Sequence, residues 1–382
     1  MTTEELLRNP GRRDTPAGPD LAGPDSRRAP LSFHRKLPGY APTPLLDAPG
    51  IAAALGVGRV LVKIENDRFG LPAFKMLGAS WATYRSLVAR LGEEPVWSTL
   101  PELRAAIAPL GELTLVTATD GNHGRAVARM AKLLGYRAHI FVPDDMAEAR
   151  IRAIESEGAR VTCVAGTYDD AVLRSAAEQS GTCLVISDTS WEDYVDPPRH
   201  VIEGYATIFE EIGDVHGRGI DVAFLATGVG AFAAAAVAHF RDAPAARATA
   251  TTLVSVEPSD ADCVLESCRA GRLVEVPGPH RSCMVGLNCG NASLIAFPTL
   301  QRGLDWCIAI DDHRAEDAMR RLAAEGIVAG ETGSAALAGA LGVVALGRAA
   351  DVGLREGAVV LLVVTEGATD PVNYQRIVGR RP

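Results

Sequence analysis

Lysine is the residue this chain most avoids. Only Lys36, Lys63, Lys75 and Lys132 occur among 382 residues, so arginine carries nearly all the basic surface. Cysteine is sparse too: the seven (163, 183, 263, 268, 283, 289 and 307) show no C-x-x-C spacing. In a chain of this length that argues for reduced thiols in a cytoplasmic protein, with a local Cys263–Cys289 bridge left open. Long apolar runs are missing. The longest, AVVLLVV at 358–364, falls far short of a membrane span. The N-terminus has no continuous apolar stretch, so export by a signal peptide is not expected. No basic stripe exists and the net charge is −9, which argues against nucleic acid or a membrane as partner. Without a Gly-Lys pair there is no Walker loop, and without H-E-x-x-H or paired histidines no metal is expected.

What is present reads as an ordinary globular chain, 47% apolar and 22% charged, long enough for two domains. Residues 1–30, rich in Pro, Gly and charge, are expected to form a flexible tail because they bury too little to offset ordering. From 81 to 190 strands and helices alternate: LTLVTATD, GNHGRAVARMAKLLG, RAHIFVP, MAEARIRAIESEGA, RVTCVAG, TYDDAVLRSAAEQSG and TCLVISD. A second series begins at 219 with DVAFLAT, AFAAAAVAHF and TTLVSVE, and closes with two helices and AVVLLVVTEG. β-branched runs separated by helices predict an α/β protein with two doubly wound parallel sheets. Such sheets bind ligands at the carboxyl ends of their strands.

Four places carry candidate chemistry. Lys75, in FGLPAFKMLGAS, is either a stem lying on apolar surface or an amine kept for covalent work with a carbonyl, which arginine cannot do. TGVGAF (227–232) joins a strand to a helix, and its amides suit a phosphate. It also fits the relaxed dinucleotide fingerprint, Gly228-x-Gly230-x-x-Ala233, with Glu257 placed as a ribose-binding acid, so an NAD-dependent dehydrogenase is a rival. TATDGNHGR (117–125) crowds Asp120, Asn122 and His123 into a second such turn, suited to a carboxylate. The plain alternatives are a helix cap for Asp120 and a packed histidine for His123. VVTEGATD delivers Thr365 to a strand end, where a neutral hydroxyl could meet a ring nitrogen. A reactive amine, a phosphate turn, a carboxylate turn and a neutral hydroxyl together describe pyridoxal 5'-phosphate.

The residues also match a family. The segments 38–79, TDGNHGRAVA, GTYDDAV, SDTSWEDY, EGYATIFEEI, VEPSDADC, MVGLNCGNAS, GETGSAAL and TEGATD resemble the tryptophan-synthase-β-like (fold type II) pyridoxal-phosphate enzymes. Within that group they are similar to the diaminopropionate ammonia-lyase branch. The resemblance implies that Lys75 links to the cofactor, that Gly228, Val229, Gly230 and Ala231 bind its phosphate, Asn122 its phenolic oxygen and Thr365 its ring nitrogen. It implies catalytic roles for Lys75, Asp120 and Asp188, and a substrate carboxylate held by the turn Thr119, Asp120, Gly121 and His123. It further implies a small amino-acid substrate and a homodimer. The layout it implies is a large domain of 31–80 plus 200–382 and a small domain of 81–199. The expected reaction is α,β-elimination to pyruvate and ammonia, and the alternative is β-replacement of the cysteine-synthase kind. Pro72, Ala126, Ala234, Ala235 and Ala368 depart from the family pattern.

Overall fold

The computed structural model describes residues 4–13, 24–215, 219–242 and 251–382. Its strands are β1 (Glu5–Arg8), β2 (Leu45–Asp47), β3 (Arg59–Ile64), β4 (Thr114–Ala118), β5 (Arg137–Pro143) and β6 (Arg160–Val164). They continue with β7 (Cys183–Val185), β8 (Val222–Ala226), β9 (Thr252–Pro258), β10 (Trp306–Ile310) and β11 (Val359–Val364). Packing divides the chain into two units. One holds residues 4–13, Pro42–Asp67 and Ile208–Pro382, and the other holds 24–41 and Arg68–Thr207. The segment 68–80, expected with the larger domain, therefore packs with the smaller unit, and so does 31–41. The helix that this segment enters, Met76–Leu91, packs on the helices Asn122–Leu134 and Pro24–His34 of that unit.

The larger unit is built on a seven-stranded sheet in the order β1-β10-β9-β8-β11-β3-β2. The five central strands run parallel and the two edge strands antiparallel. Its central strands β8 and β11 are apolar from end to end, as befits strands covered on both faces. Val62, Val222, Phe224, Val254, Ile308 and Leu362 share one core. The helix Ala335–Ala345 is apolar all round and buried, the mark of a central rather than a surface helix. Its small residues let it lie close: a Cβ on Gly339 would fall 2.4 Å from Val256 Cγ2.

The smaller unit carries four parallel strands in the order β6-β5-β4-β7. Its helix Met76–Leu91 packs tightly on the start of the helix Asp196–Val215. A Cβ on Gly204 would sit 2.4 Å from Leu77 O, and one on Gly78 would sit 2.6 Å from the Tyr205 ring. Only hydrogen fits at either place.

The expected α/β class with parallel sheets is what the structure has. The tail is a correction. Glu5–Arg8 form β1 along the outer edge of β10, and Glu4 accepts two hydrogen bonds from Arg314, at 2.7 and 3.0 Å. Asn9 Nδ2 donates to Gln301 O and Leu304 O. These partners lie about three hundred residues away in sequence, so composition could not reveal them. Residues 1–3 and 14–23 of that stretch lie outside the described residues. Among the described residues no helix is long and apolar enough to cross a membrane, and the seven cysteines, Cys263 and Cys289 included, are thiols.

Both sheets reverse their strand order beside one central strand. From β4 the chain builds outward to β5 and β6, then returns to place β7 on the other side of β4. From β8 it builds to β9 and β10, then returns to place β11. The turns after β4 and β7, and those after β8 and β11, thus flank the switch points where open α/β sheets hold ligands.

Candidate active site

The four lysines separate by environment. Lys132 is exposed. Lys36 lies over the Trp97 ring and donates to Trp97 O. Lys63 is buried and paired with Glu211 at 2.6 Å, a structural use. Lys75 alone stands next to groups with chemistry to offer.

In the smaller unit Lys75 immediately precedes the helix Met76–Leu91. Its Nζ lies 2.6 Å from Asp188 Oδ2, in the turn after β7. Tyr168 OH donates to the other oxygen, Asp188 Oδ1, at 3.1 Å. Tyr168 opens its helix behind a Thr167–Asp170 capping box, the local signal from which its placement could have been anticipated. His123, in the turn after β4, donates from Nε2 to Ile186 O at 2.8 Å and brings Nδ1 to 3.9 Å from Asp188 Oδ2. Lys75, Asp188, His123 and Tyr168 therefore meet at the β4/β7 switch point. Phe74 packs edge-on against Tyr205, whose hydroxyl is buried near Lys75.

Burial alone would raise the Asp188 carboxyl, yet the Lys75 ammonium, His123 and the hydrogen bonds from Lys75 and Tyr168 hold it well below the ordinary range. Asp120 goes the other way. Desolvation first, and then the Asp188 charge, push it up to about 8, while Arg150 and Lys75 pull in the opposite direction. Asp120 as a residue is half-buried. Two carboxyls beside one amine are thus driven to opposite protonation states, a common arrangement for acid–base work. Burial and Lys75 both keep His123 low, against the pull of Asp188.

The turn Thr119–His123 is shaped by Thr119 Oγ1, which accepts from Gly121 N at 2.9 Å and Gly124 N at 3.0 Å. Gly121, at φ 143°, is the helix-capping residue. Asp120 is not the cap. The amides of Thr119 and Gly121 are spent internally, on Phe141 O and Thr119 Oγ1, so they are not available to a ligand as expected. Those of Asp120 and His123 point to no described partner.

The larger unit carries the other expected residues. Gly228, Val229 and Gly230 join β8 to the helix Ala231–Asp242, with Gly230 at φ 95°. Val229 O accepts from Ser293 N, which anchors the turn, while the three amides find no acceptor among the described residues. Thr365 follows β11 and is buried. Its hydroxyl makes one long hydrogen bond, 3.4 Å to Thr332 O. Thr332 belongs to GETGS, which packs against the Thr365–Gly367 turn: Gly330 N donates to Glu366 O. Glu257 overturns the dinucleotide alternative. It is fully buried and accepts from Val264 N at 2.7 Å and Leu265 N at 2.9 Å, capping the helix Cys263–Ala270. A carboxyl used inward in this way cannot receive a ribose.

Comparison with known proteins agrees with this chemistry. Residues 36–366 match the model of a family described as pyridoxal-phosphate dependent enzyme. The chain is 34% identical over 361 residues to diaminopropionate ammonia-lyase of Escherichia coli K12, covering 91% of this chain and 89% of the relative. The crystal structure of the selenomethionine holo form of the E. coli lyase superposes with a TM-score of 0.90 at 31% identity, covering 99% of this chain and 97% of the other. The same lyase in complex with D-serine also gives 0.90 at 31% identity, over 98% and 96% of the two chains.

Proposed function

The chain belongs to the pyridoxal-phosphate dependent enzyme family, and we propose that within it this protein is an ammonia-lyase. Its substrate would be 2,3-diaminopropionate or a related β-substituted amino acid, and its products pyruvate and ammonia. The E. coli relative, a diaminopropionate ammonia-lyase, and its complex with D-serine support a small amino-acid substrate. The observation that carries the reading is Lys75 Nζ seated 2.6 Å from Asp188 Oδ2, on a carboxylate that Tyr168 fixes from its other oxygen.

The residues fit the cofactor. Gly228, Val229 and Gly230 present amides with no described acceptor at a helix start, which suits a phosphate. A Cβ on Gly228 would lie 3.2 Å from Cys289 Sγ and Gly286 O, so a side chain there would crowd the turn. Gly228, Val229, Gly230 and Ala231 would hold the phosphate, Asn122 the phenolic oxygen and Thr365 the ring nitrogen. Pyridoxal phosphate, when bound, supplies the electron sink that makes loss of a Cα proton feasible.

The protein's own groups do the rest. Lys75 Nζ offers the amine that links to a carbonyl, and once displaced it can take up a proton. The amides of Asp120 and His123 would orient the substrate carboxylate. Asp188, ionised and fixed by Tyr168, would attract the ammonium of a cationic substrate. Asp120 carries its proton at neutral pH, which suits it to protonate a departing amine; as a base it serves only above about pH 8. A homodimer in the cytoplasm is part of the same proposal.

The test is to incubate the holoprotein with D- and L-2,3-diaminopropionate, serine, threonine and O-acetylserine, the last with and without sulfide, and to assay ammonia and keto acid. Keto acid and two equivalents of ammonia from diaminopropionate are expected. No keto acid from any of the amino acids defeats the lyase reading, and a sulfide-dependent product from O-acetylserine alone replaces it with β-replacement.

A further inference from the structure

His123 presents a buried imidazole with one nitrogen satisfied and the other not. Its side chain is 3% exposed. Nε2 faces the Ile186 carbonyl at 2.8 Å, and a carbonyl only accepts, so Nε2 always carries hydrogen. Every change of protonation must therefore happen at Nδ1. That atom is buried and has no hydrogen-bond partner. It lies 3.9 Å from Asp188 Oδ2, the same oxygen that Lys75 Nζ contacts at 2.6 Å.

Two cations cannot both rest cheaply against one buried carboxylate oxygen. While Lys75 is an ammonium, burial first and then the Lys75 charge keep the imidazole neutral, and the positive end of the helix Asn122–Leu134, in whose first turn His123 stands, works the same way. Once Lys75 Nζ is bonded to carbon it is no longer an ammonium, and when the linked nitrogen has given up its extra proton Asp188 Oδ2 loses its counter-charge. A buried carboxylate without a counter-charge is costly. The remaining groups facing the cluster are Tyr168, already donating to Oδ1, Tyr205, Asp120, which holds its own proton near neutrality, and Arg150, whose guanidinium is turned to Asp120 O at 3.4 Å. None of them supplies a cation to Asp188.

We propose that His123 is a positioning residue for Asp188 whose charge alternates with that of Lys75. It is neutral while the Lys75 ammonium sits on Asp188 Oδ2, and protonated at Nδ1 toward that oxygen whenever Lys75, linked to carbon, has given up that charge. One N–H bond forms at Nδ1 with a proton from solvent, and it is lost again when the ammonium returns. His123 thereby keeps Asp188 ionised and oriented in both states. The inference rests on the reading of Lys75 as the linking amine for its timing, but the coupling itself needs neither cofactor nor substrate.

The experiment is a pH titration of histidine ring nitrogens by NMR, on protein carrying nitrogen-15 in its histidines, with the His123 signals assigned by their loss in His123→Gln. Cofactor-free wild type, Lys75→Met and the double variant Lys75→Met/Asp188→Asn are compared. Lys75→Met should raise the Nδ1 midpoint by about one pH unit or more, tenfold in proton affinity, and the added Asp188→Asn should abolish the rise. The same midpoint in wild type and Lys75→Met, or titration at Nε2, overturns the proposal. Should Lys75→Met not fold, the same nitrogen is read in wild type before and after loading with pyridoxal phosphate, and an unmoved midpoint there overturns it. Because the variant arm omits cofactor and substrate, the coupling can fail while the lyase reading stands, and the reverse.

Discussion

Replacing Asp120 with asparagine should stabilise the cofactor-free protein much more at pH 8 than at pH 5. In the folded protein the Asp120 carboxyl is pushed up to about 8 from 3.8, first by desolvation and then by Asp188. A raised value means the folded state binds a proton that the unfolded state has already released. Stability is therefore full below the unfolded value and declines as pH rises toward the folded one. Between pH 5 and 8 the slope approaches 1.36 kcal/mol per unit, so about 4 kcal/mol is lost over the window. Asp120 is partly accessible and Lys75 and Arg150 oppose the shift, so about 2–4 kcal/mol is the working figure. Asparagine mimics the neutral acid, so the variant lacks this slope. Asp188 does not blur the result, because its depressed value confines its own loss of stability to strongly acid conditions. Urea midpoints of both proteins at pH 5, 6, 7 and 8 measure the difference. A wild-type-minus-variant gap that stays constant with pH refutes the electrostatic account of the site.

Three further outcomes follow from the structure. Lys75→Ala should remove the visible absorbance of the holoprotein and all turnover, whereas Asp120→Asn should keep the absorbance and lose activity; full activity of the latter on both enantiomers of diaminopropionate would rule Asp120 out of the chemistry. Gly204→Val should lower stability by about 1–3 kcal/mol, read as a drop in melting temperature, because its Cβ would meet Leu77 O at 2.4 Å; an unchanged melting temperature would mean that the two helices separate freely there.

The strand and helix alternation was legible because it is local. Runs such as RAHIFVP and DVAFLAT form β5 and β8 within a residue or two of expectation, and glycines end or open the helices beside them. Local signals failed where the partner is distant. Nothing in TEELLRN announces that β1 will pair with Trp306–Ala309, and nothing around 68–80 tells which unit will cover it. Glu257 shows a different failure: its position after a strand fits a ribose-binding acid, but only the fold shows that it points into a helix start.

At the site the same boundary holds. The sequence alone marked Lys75 by scarcity, Asp120 and His123 by their crowding after a buried strand, and the Gly228–Ala231 and Thr365 turns by their places at strand ends, since residue type and spacing are written in the chain. What the amine would touch was decided only by folding, which brings Asp188 across 113 positions to within 2.6 Å of Lys75 and sets His123 beside it. Protonation was decided there too. Charge states of buried groups depend on which charges surround them and how much water is excluded, and both are properties of three-dimensional packing rather than of the order of residues.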